Sequence, residues 1–186
     1  MPERGRDFPF AAASLIETID RINGLHGRAG IKWVNDILIE ERKIAGFLVY
    51  TISNEDIITA AVLGIGLNVE KTPEVPPDPF VPRAASLGSF VSDPSFCNLK
   101  NVLKLLLLRL SENYDLLLDG QHDRLLDIYR KRSLVIGRNA RILSGHSDGI
   151  EKKIASGRVI GIGDNLELIF DGRDKPVIRG RMILES

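Results

Sequence analysis

The chain has 186 residues, and its 25 basic side chains balance its 25 acidic ones, so the formal net charge is zero. This balance argues against a nucleic-acid partner, which usually requires a basic surface. No apolar run reaches the roughly 18 residues that a membrane helix needs, and the single cysteine fits a reducing compartment. We therefore expect a cytoplasmic globular protein that binds neither membranes nor nucleic acid.

The first predicted element is an amphipathic helix. Apolar residues recur with helical spacing from Phe10 onwards, and Asn23-Gly24 is a typical helix end. The stripe that this helix would bury consists of Ala12, Leu15, Ile16, Ile19 and Ile22.

The next stretch, residues 31–39, places a cation, an aromatic ring, an amide and a carboxylate inside an apolar run. It reads Ile-Lys-Trp-Val-Asn-Asp-Ile-Leu-Ile. A period of two predicts one strand, with Lys32 and Asp36 on the same face. A charged lysine in such a run costs desolvation free energy unless an anion pairs with it. These two residues could therefore bracket a polar ligand. The alternative is a half-buried strand with an internal ion pair.

Two further strands are predicted at 43–52 and 57–68, with turns at 40–42 and 53–56. They form an antiparallel meander with the Lys32 strand at one side. The last strand ends in Gly64-Ile65-Gly66-Leu67-Asn68, but no helix follows as a dinucleotide fingerprint requires. The glycines could instead admit a ligand, and Asn68 could bind a base edge. A purely structural strand end is the alternative.

A proline-rich loop at 71–82 comes next, either as a plain connection or as a cover over a site. Ser95 or Asn98 is expected to cap a long helix, and a second helix follows. Cys97 and His122 are predicted to be structural, because no partners stand at metal-ligand spacing, and no metal site is expected. The buried face predicted for the first helix consists of Val102, Leu103, Leu106, Leu110, Tyr114 and Leu117. The apolar stripe of the second consists of Leu125, Leu126 and Tyr129, with His122 at its edge.

Short strands end the chain, because the apolar period changes to two after residue 133. The strands at 140–143, 153–162, 166–170 and 177–184, with hairpin turns at 163–165 and 171–173, predict a small SH3-like barrel. We place the domain boundary near 132–136, which gives domains 1–133 and 134–186. The triplets Arg4-Gly5-Arg6 and Arg179-Gly180-Arg181 are predicted to be solvated.

Three motifs in register resemble the biotin–protein ligase family. That family carries a Lys-Trp-Pro-Asn-Asp strand, an Arg-Lys-hydrophobic-Ala-Gly turn and a Gly-x-Gly-x-Asn-Val strand end. The resemblance implies an α+β fold, with the mixed sheet and flanking helices of class II synthetases and biotin ligases, followed by an SH3-like barrel. The matching segments here are Lys32-Trp33-Val34-Asn35-Asp36, Arg42-Lys43-Ile44-Ala45-Gly46 and Gly64-Ile65-Gly66-Leu67-Asn68-Val69.

This resemblance implies a ligase that activates biotin with ATP and Mg²⁺ to biotinyl-5′-AMP and then transfers biotin to a lysine of a carrier domain. Lys32 matches the family lysine that contacts the biotin carboxylate and the adenylate phosphate, and is the predicted catalytic residue. A buried cation would stabilise the charge that develops there. The matching substrate- and nucleotide-binding positions are Trp33, Asn35, Asp36, Lys43, Gly46, Gly64, Gly66 and Asn68.

One family feature has no match before Phe10, namely a Gly-Arg-Gly-Arg-x-Gly-Arg substrate loop. We therefore expect a partial catalytic domain that is impaired or dependent on a partner. A sheet without its front strands would expose an edge and an apolar face, which a second copy or a second chain carrying the missing half would cover. The alternatives are a non-catalytic nucleotide- or carrier-binding module and a lipoyl or octanoyl transferase relative.

Overall fold

The computed structural model describes residues 4–54, 57–76, 78–80, 83–144 and 152–185. These residues form three α-helices and two four-stranded sheets. The helices are α1 (Arg4–Asp20), α2 (Leu99–Leu118) and α3 (His122–Lys131). The first sheet contains β1 (Gly30–Lys32), β2 (Asp36–Ile39), β3 (Arg42–Asn54) and β4 (Ile57–Leu67). The second contains β5 (Asn139–Leu143), β6 (Lys153–Ile162), β7 (Leu168–Phe170) and β8 (Arg181–Leu184).

The first sheet is an antiparallel meander in the order β1-β2-β3-β4, which confirms the prediction made from the residue pattern. The mixed sheet implied by the resemblance is not found among the described strands. Parallel pairing there is limited to the isolated bridges Ile31–Ser133 and Lys43–Ala84. β4 lies at one edge of this sheet.

The prediction of one strand over residues 31–39 is wrong, because the stretch is a β-hairpin. Lys32 pairs with Asp36 across the antiparallel β1–β2 ladder, and residues 33–35 form the turn between them. The apolar alternation continues through this turn, so the pattern resembled a single strand. Cross-strand partners point to the same face of a sheet, so Lys32 and Asp36 still share a face.

The helix α1 buries most of the predicted stripe, from Ala12 to Ile19, and Ile22 is buried in the turn that follows the helix. It begins at Arg4 and contains Pro9, whereas the sequence placed its start at Phe10, because proline disfavours a helix interior. The triplet Arg4-Gly5-Arg6 lies in its first turn, and the side chains of that triplet fall outside the described part of the chain.

The helix α2 is capped by Asn98, whose side chain accepts a hydrogen bond from the Asn101 amide. Val102 and Leu106 are buried as predicted, but Leu103 and Tyr114 are about half exposed. These two line an open apolar groove between α2 and β4. The described chain therefore covers α2 only in part. No helix among the described residues is both long and apolar enough to span a bilayer.

The second sheet is antiparallel, in the order β7-β6-β5-β8. The predicted strands are found, but the last two are shorter. β7 begins at Leu168 instead of residue 166, and Val177 makes only an isolated bridge to Leu168 before β8 begins at Arg181. That this sheet closes into an SH3-like barrel stays a prediction. Buried residues from both sheets and all three helices pack in one hydrophobic cluster.

Candidate functional site

A cavity of about 720 Å³ lies between the first sheet and the proline-rich loop. This volume falls within the usual range for small-molecule sites. The loop contributes Pro73, Val75, Pro76 and Asp78 to its lining, so of the two alternatives the contacts favour a cover over a site. The predicted site residues that line it are Asn35, Lys43, Gly46, Gly64, Gly66 and Asn68.

Four of the predicted residues form one row across the sheet. Lys32 pairs with Asp36, Asp36 with Gly46, and Gly46 with Gly66. Neighbouring strands are about 4.8 Å apart, so the row spans about 14 Å from Lys32 to Gly66. Paired residues face the same side. The three motifs, which are separate along the chain, are thus brought together by strand pairing.

The glycines of this row add no side chain of their own to the cavity floor, although the Lys43 side chain crosses the floor at Gly46. A Cβ atom on Gly46 would lie 3.1 Å from Cε and 3.2 Å from Nζ of Lys43, so the lysine lies directly over this glycine. A Cβ atom on Gly66 would meet the Gly46 carbonyl oxygen only at 3.8 Å, an ordinary contact. Strand packing therefore does not require glycine at 66, whereas close approach of a ligand to the backbone would.

Lys32 itself is only 6% exposed. Its ammonium donates a hydrogen bond to the Phe80 carbonyl of the proline-rich loop, and it does not belong to the cavity lining. Burial has the largest effect on the pKa of Lys32 and lowers it, whereas the carboxylates of Asp36 and Asp78 raise it. An ammonium has three donors, and the Phe80 carbonyl is a neutral partner. The group is thus a buried cation with capacity for an anionic ligand.

Asp36 pairs with a different lysine from the one expected. Its Oδ1 lies 2.5 Å from Nζ of Lys43, so the internal ion pair between Lys32 and Asp36 that the sequence offered as an alternative is not formed. Asp36 instead holds the Lys43 side chain across Gly46, at the edge of the cavity. Two lysines therefore lie near one end of the residue row.

The remaining predicted residues divide between the cavity and the core. Asn35 Nδ2 donates to the Phe47 carbonyl at 2.7 Å, and Asn68 Nδ2 donates to the Ala85 carbonyl at 3.0 Å. Both amides thus brace the backbone as well as lining the cavity. Trp33 lies outside the cavity lining, because its Nε1 donates to the Leu166 carbonyl at 2.7 Å in the segment that precedes β7.

Two residues that hold the site were missed from the sequence. The hydroxyl of Tyr129 donates to the Val34 carbonyl at 2.8 Å and so fixes the turn after Lys32. Asp78 lines the cavity and pairs with Arg181 at 3.1 Å. The helical period identified Tyr129 as buried, but no local signal connects it or Asp78 to these distant partners. Within the described ranges, no cluster of three His, Cys, Asp or Glu residues could hold a metal ion.

The family described as the Biotin/lipoate A/B protein ligase family has a model that matches residues 11–68. The bifunctional ligase/repressor BirA of Bacillus subtilis is 28% identical over 163 residues, which are 87% of this chain and 46% of that protein. The biotin–[acetyl-CoA-carboxylase] ligase of Mycobacterium tuberculosis is 35% identical over 128 residues, which are 67% and 44% of the two chains. The chain thus spans about half the length of these curated relatives.

Solved structures agree at the level of the fold. The apo biotin protein ligase of Aquifex aeolicus superposes with a TM-score of 0.72 at 22% identity, covering 96% of this chain and 73% of that one. The same ligase in complex with biotin and ATP gives a TM-score of 0.71, covering 97% and 72%. Residues 11–68, which include Lys32, Lys43 and Asn68, therefore match the biotin/lipoate A/B protein ligase family, and the fold of the chain is similar to that of biotin protein ligases.

Proposed function

We propose that the chain carries biotin–protein ligase-type activity, with ATP-dependent formation of biotinyl-5′-AMP and transfer of biotin to a lysine of a carrier domain. The observation that carries this proposal is the residue row from Lys32 to Gly66, which joins three family motifs beside one cavity. The relative from Mycobacterium tuberculosis is named as a biotin–[acetyl-CoA-carboxylase] ligase, which favours biotin over lipoate as the substrate.

The proposed chemistry suits a buried cation. Attack of the biotin carboxylate on the α-phosphate of ATP brings two anions together, and a fixed ammonium stabilises the charge that develops. We assign this role to Lys32, and we assign Lys43, held by Asp36, to binding the same anions. The glycine floor would let the ligand reach the backbone, with Asn35 and Asn68 at its sides. Mg²⁺ would enter with ATP, because it is usually held through substrate phosphates.

We further propose that this activity is low in the chain alone and rises with a partner that covers the cavity. Leu48 lines the cavity and yet is 70% exposed. Water that reaches a site weakens its electrostatic interactions and hydrolyses reactive intermediates. The covering partner would be a second copy or a second polypeptide. We keep residues 1–133 as the catalytic part and 134–186 as an SH3-like domain in this proposal.

A non-catalytic binding module is the second candidate, because an open cavity can bind a nucleotide without supporting its chemistry. Biotin-dependent exchange between ATP and labelled pyrophosphate separates the two. The ligase proposal predicts exchange, whereas a module would bind ATP without exchange.

Lys32→Ala is the decisive variant. We expect it to abolish biotin-dependent exchange while leaving the circular dichroism spectrum unchanged, because the ammonium is lost but the strand pairing remains. Lys100→Ala, at an exposed position of α2, is the matched control and should keep full activity. Unchanged exchange in Lys32→Ala would remove this lysine from the mechanism.

A further inference from the structure

The second sheet and the segment before β7 approach the surroundings of Lys32 at two points. One is the hydrogen bond from Trp33, the residue directly after Lys32, to the Leu166 carbonyl. The other is Arg181, the first residue of β8, which contacts the loop segment that caps Lys32. Lys32 is therefore bounded on two sides by one distant part of the chain.

Arg181 makes two different contacts with this loop segment. Its guanidinium carbon lies 3.6 Å from the centre of the Phe80 ring, and its Nη2 donates to Oδ2 of Asp78 at 3.1 Å. Asp78 in turn accepts a hydrogen bond from the Phe80 amide at 2.6 Å. The arginine thus fixes both the ring and the backbone of the residue whose carbonyl accepts from Lys32.

The backbone before Arg181 is equally constrained. Gly180 has φ +137°, and a Cβ atom there would lie 2.3 Å from Cγ2 of Ile142 and 2.7 Å from the Leu143 carbonyl oxygen. Only glycine fits such a close approach to β5 in this conformation. Arg181 then pairs with Leu143 in the β5–β8 ladder. The guanidinium therefore extends from a fixed point of the second sheet.

We propose that Arg181 is a positioning residue for Lys32, holding the Phe80 carbonyl against the ammonium and so setting how Lys32 meets an anionic ligand. The proposal rests on the proposed role of Lys32 as the anion-binding cation. The prediction that the triplet 179–181 is simply solvated is incorrect for Arg181, because its contacts with Asp78 and Phe80 are specific. A planar guanidinium can stack on a ring and pair with a carboxylate at once, whereas lysine reproduces only the charge.

The reactivity of Lys32 towards reductive methylation, followed by mass spectrometry, tests this directly and needs no enzymatic activity. We expect Arg181→Gln to accelerate methylation of Lys32 about threefold to tenfold, because the Phe80 carbonyl is released. Arg181→Lys should give an intermediate rate. Arg179→Gln, an exposed arginine two residues away, should react like the wild type.

The sign of the change separates positioning from a simple charge effect. The positive charge of Arg181 contributes to lowering the pKa of Lys32, so its removal alone would make the amine more protonated and slower to react. An unchanged or slower rate in Arg181→Gln would therefore overturn the proposal. Phe80→Ala removes the stacked ring without changing any charge near Lys32, and it carries the test if Arg181→Gln fails to fold, with the same acceleration expected.

Pyrophosphate exchange completes the test. If the wild type is active, Arg181→Gln should raise KM for the substrates about tenfold and change kcat less, because the cation is misplaced rather than removed. Faster methylation of Lys32 in Arg181→Gln, together with no exchange in the wild type, would support the positioning role and refute ligase activity of the chain alone. Normal exchange with unchanged methylation would refute the positioning role alone.

Discussion

Lys32 is a buried ammonium whose hydrogen-bond acceptor is a neutral carbonyl. A charge in that position lowers the stability of the folded state, because a hydrogen bond to a neutral carbonyl offsets only part of the desolvation free energy. The charged groups that influence it are Asp36, Lys43, Asp78 and Arg181. Their opposing signs leave burial as the dominant effect, so the folded chain holds this proton less tightly than the unfolded chain does.

The stability of the protein should therefore depend on pH through Lys32. Between its lowered pKa and the ordinary value of 10.5, the unfolded state binds more protons, so the free energy of unfolding rises with pH. Lys32→Met lacks this titration. We expect the free energy of unfolding of the wild type, measured in urea, to increase relative to that of the variant as the pH is raised. The increase should be about 1.4 kcal/mol for each unit by which the pKa is lowered. A constant difference across the range would contradict a lowered pKa.

Tyr129 offers a second test at the scale of single residues. It is fully buried, and burial raises the pKa of its phenol, so the hydroxyl remains a neutral donor to Val34. Tyr129→Phe would leave that carbonyl without this donor, at a cost of about 1–3 kcal/mol. Urea unfolding of the wild type and the variant measures this loss in the free energy of unfolding. Tyr50→Phe, at an exposed position of β3, is the control and should change stability very little, so equal losses would argue against the Val34 contact.

The hairpin around Lys32 shows how a short element combines local and distant requirements. Three side-chain hydrogen bonds fix its turn. Trp33 and Asn35 donate to carbonyls of two other segments, and Tyr129 donates to the Val34 carbonyl of the turn itself. An alternating pattern specifies which residues share a face, but it does not specify where the chain reverses. That is why the face of Lys32 and Asp36 was predicted correctly and the single strand was not.

The strand β4 is the element most exposed to association. It has 11 residues, none of them charged, and lies at the edge of its sheet. Leu48, Tyr50 and Val62 are strongly exposed on β3 and β4 beside this edge. Natural proteins usually protect such an edge with charges or a covering segment. We therefore expect the isolated chain to associate with itself.

Val62→Lys tests this expectation, because a charge in the middle of an edge strand opposes strand addition. Size-exclusion chromatography with light scattering should show a mass that rises with concentration for the wild type and a monomer for the variant. Leu118→Lys makes the same chemical change at an exposed position of α2 and should leave association intact. A well-folded wild-type monomer at all concentrations would refute the prediction.

At the scale of the whole molecule, the sequence predicted what depends on local spacing. Strand pairing follows from alternating segments and short turns, and it brought Gly46 and Gly66 together as the motifs implied. Contacts between residues that are far apart in the sequence could not be predicted. The bond from Trp33 to Leu166 crosses 133 positions, and that from Arg181 to Asp78 crosses 103. The spacing of apolar residues does not predict such tertiary contacts, because they depend on how the two sheets pack.

The burial of Cys97 provides an internal reporter of local opening. It is the chain's single cysteine, it lies in the core, and its Sγ donates to the Val69 carbonyl, directly after Asn68 in the cavity wall. Burial raises the pKa of the thiol, so reaction with Ellman's reagent requires that wall to separate transiently. We expect native-state modification to be at least about tenfold slower than in urea and to slow further when ATP occupies the cavity. Rapid modification of the folded chain would show that the wall separates readily.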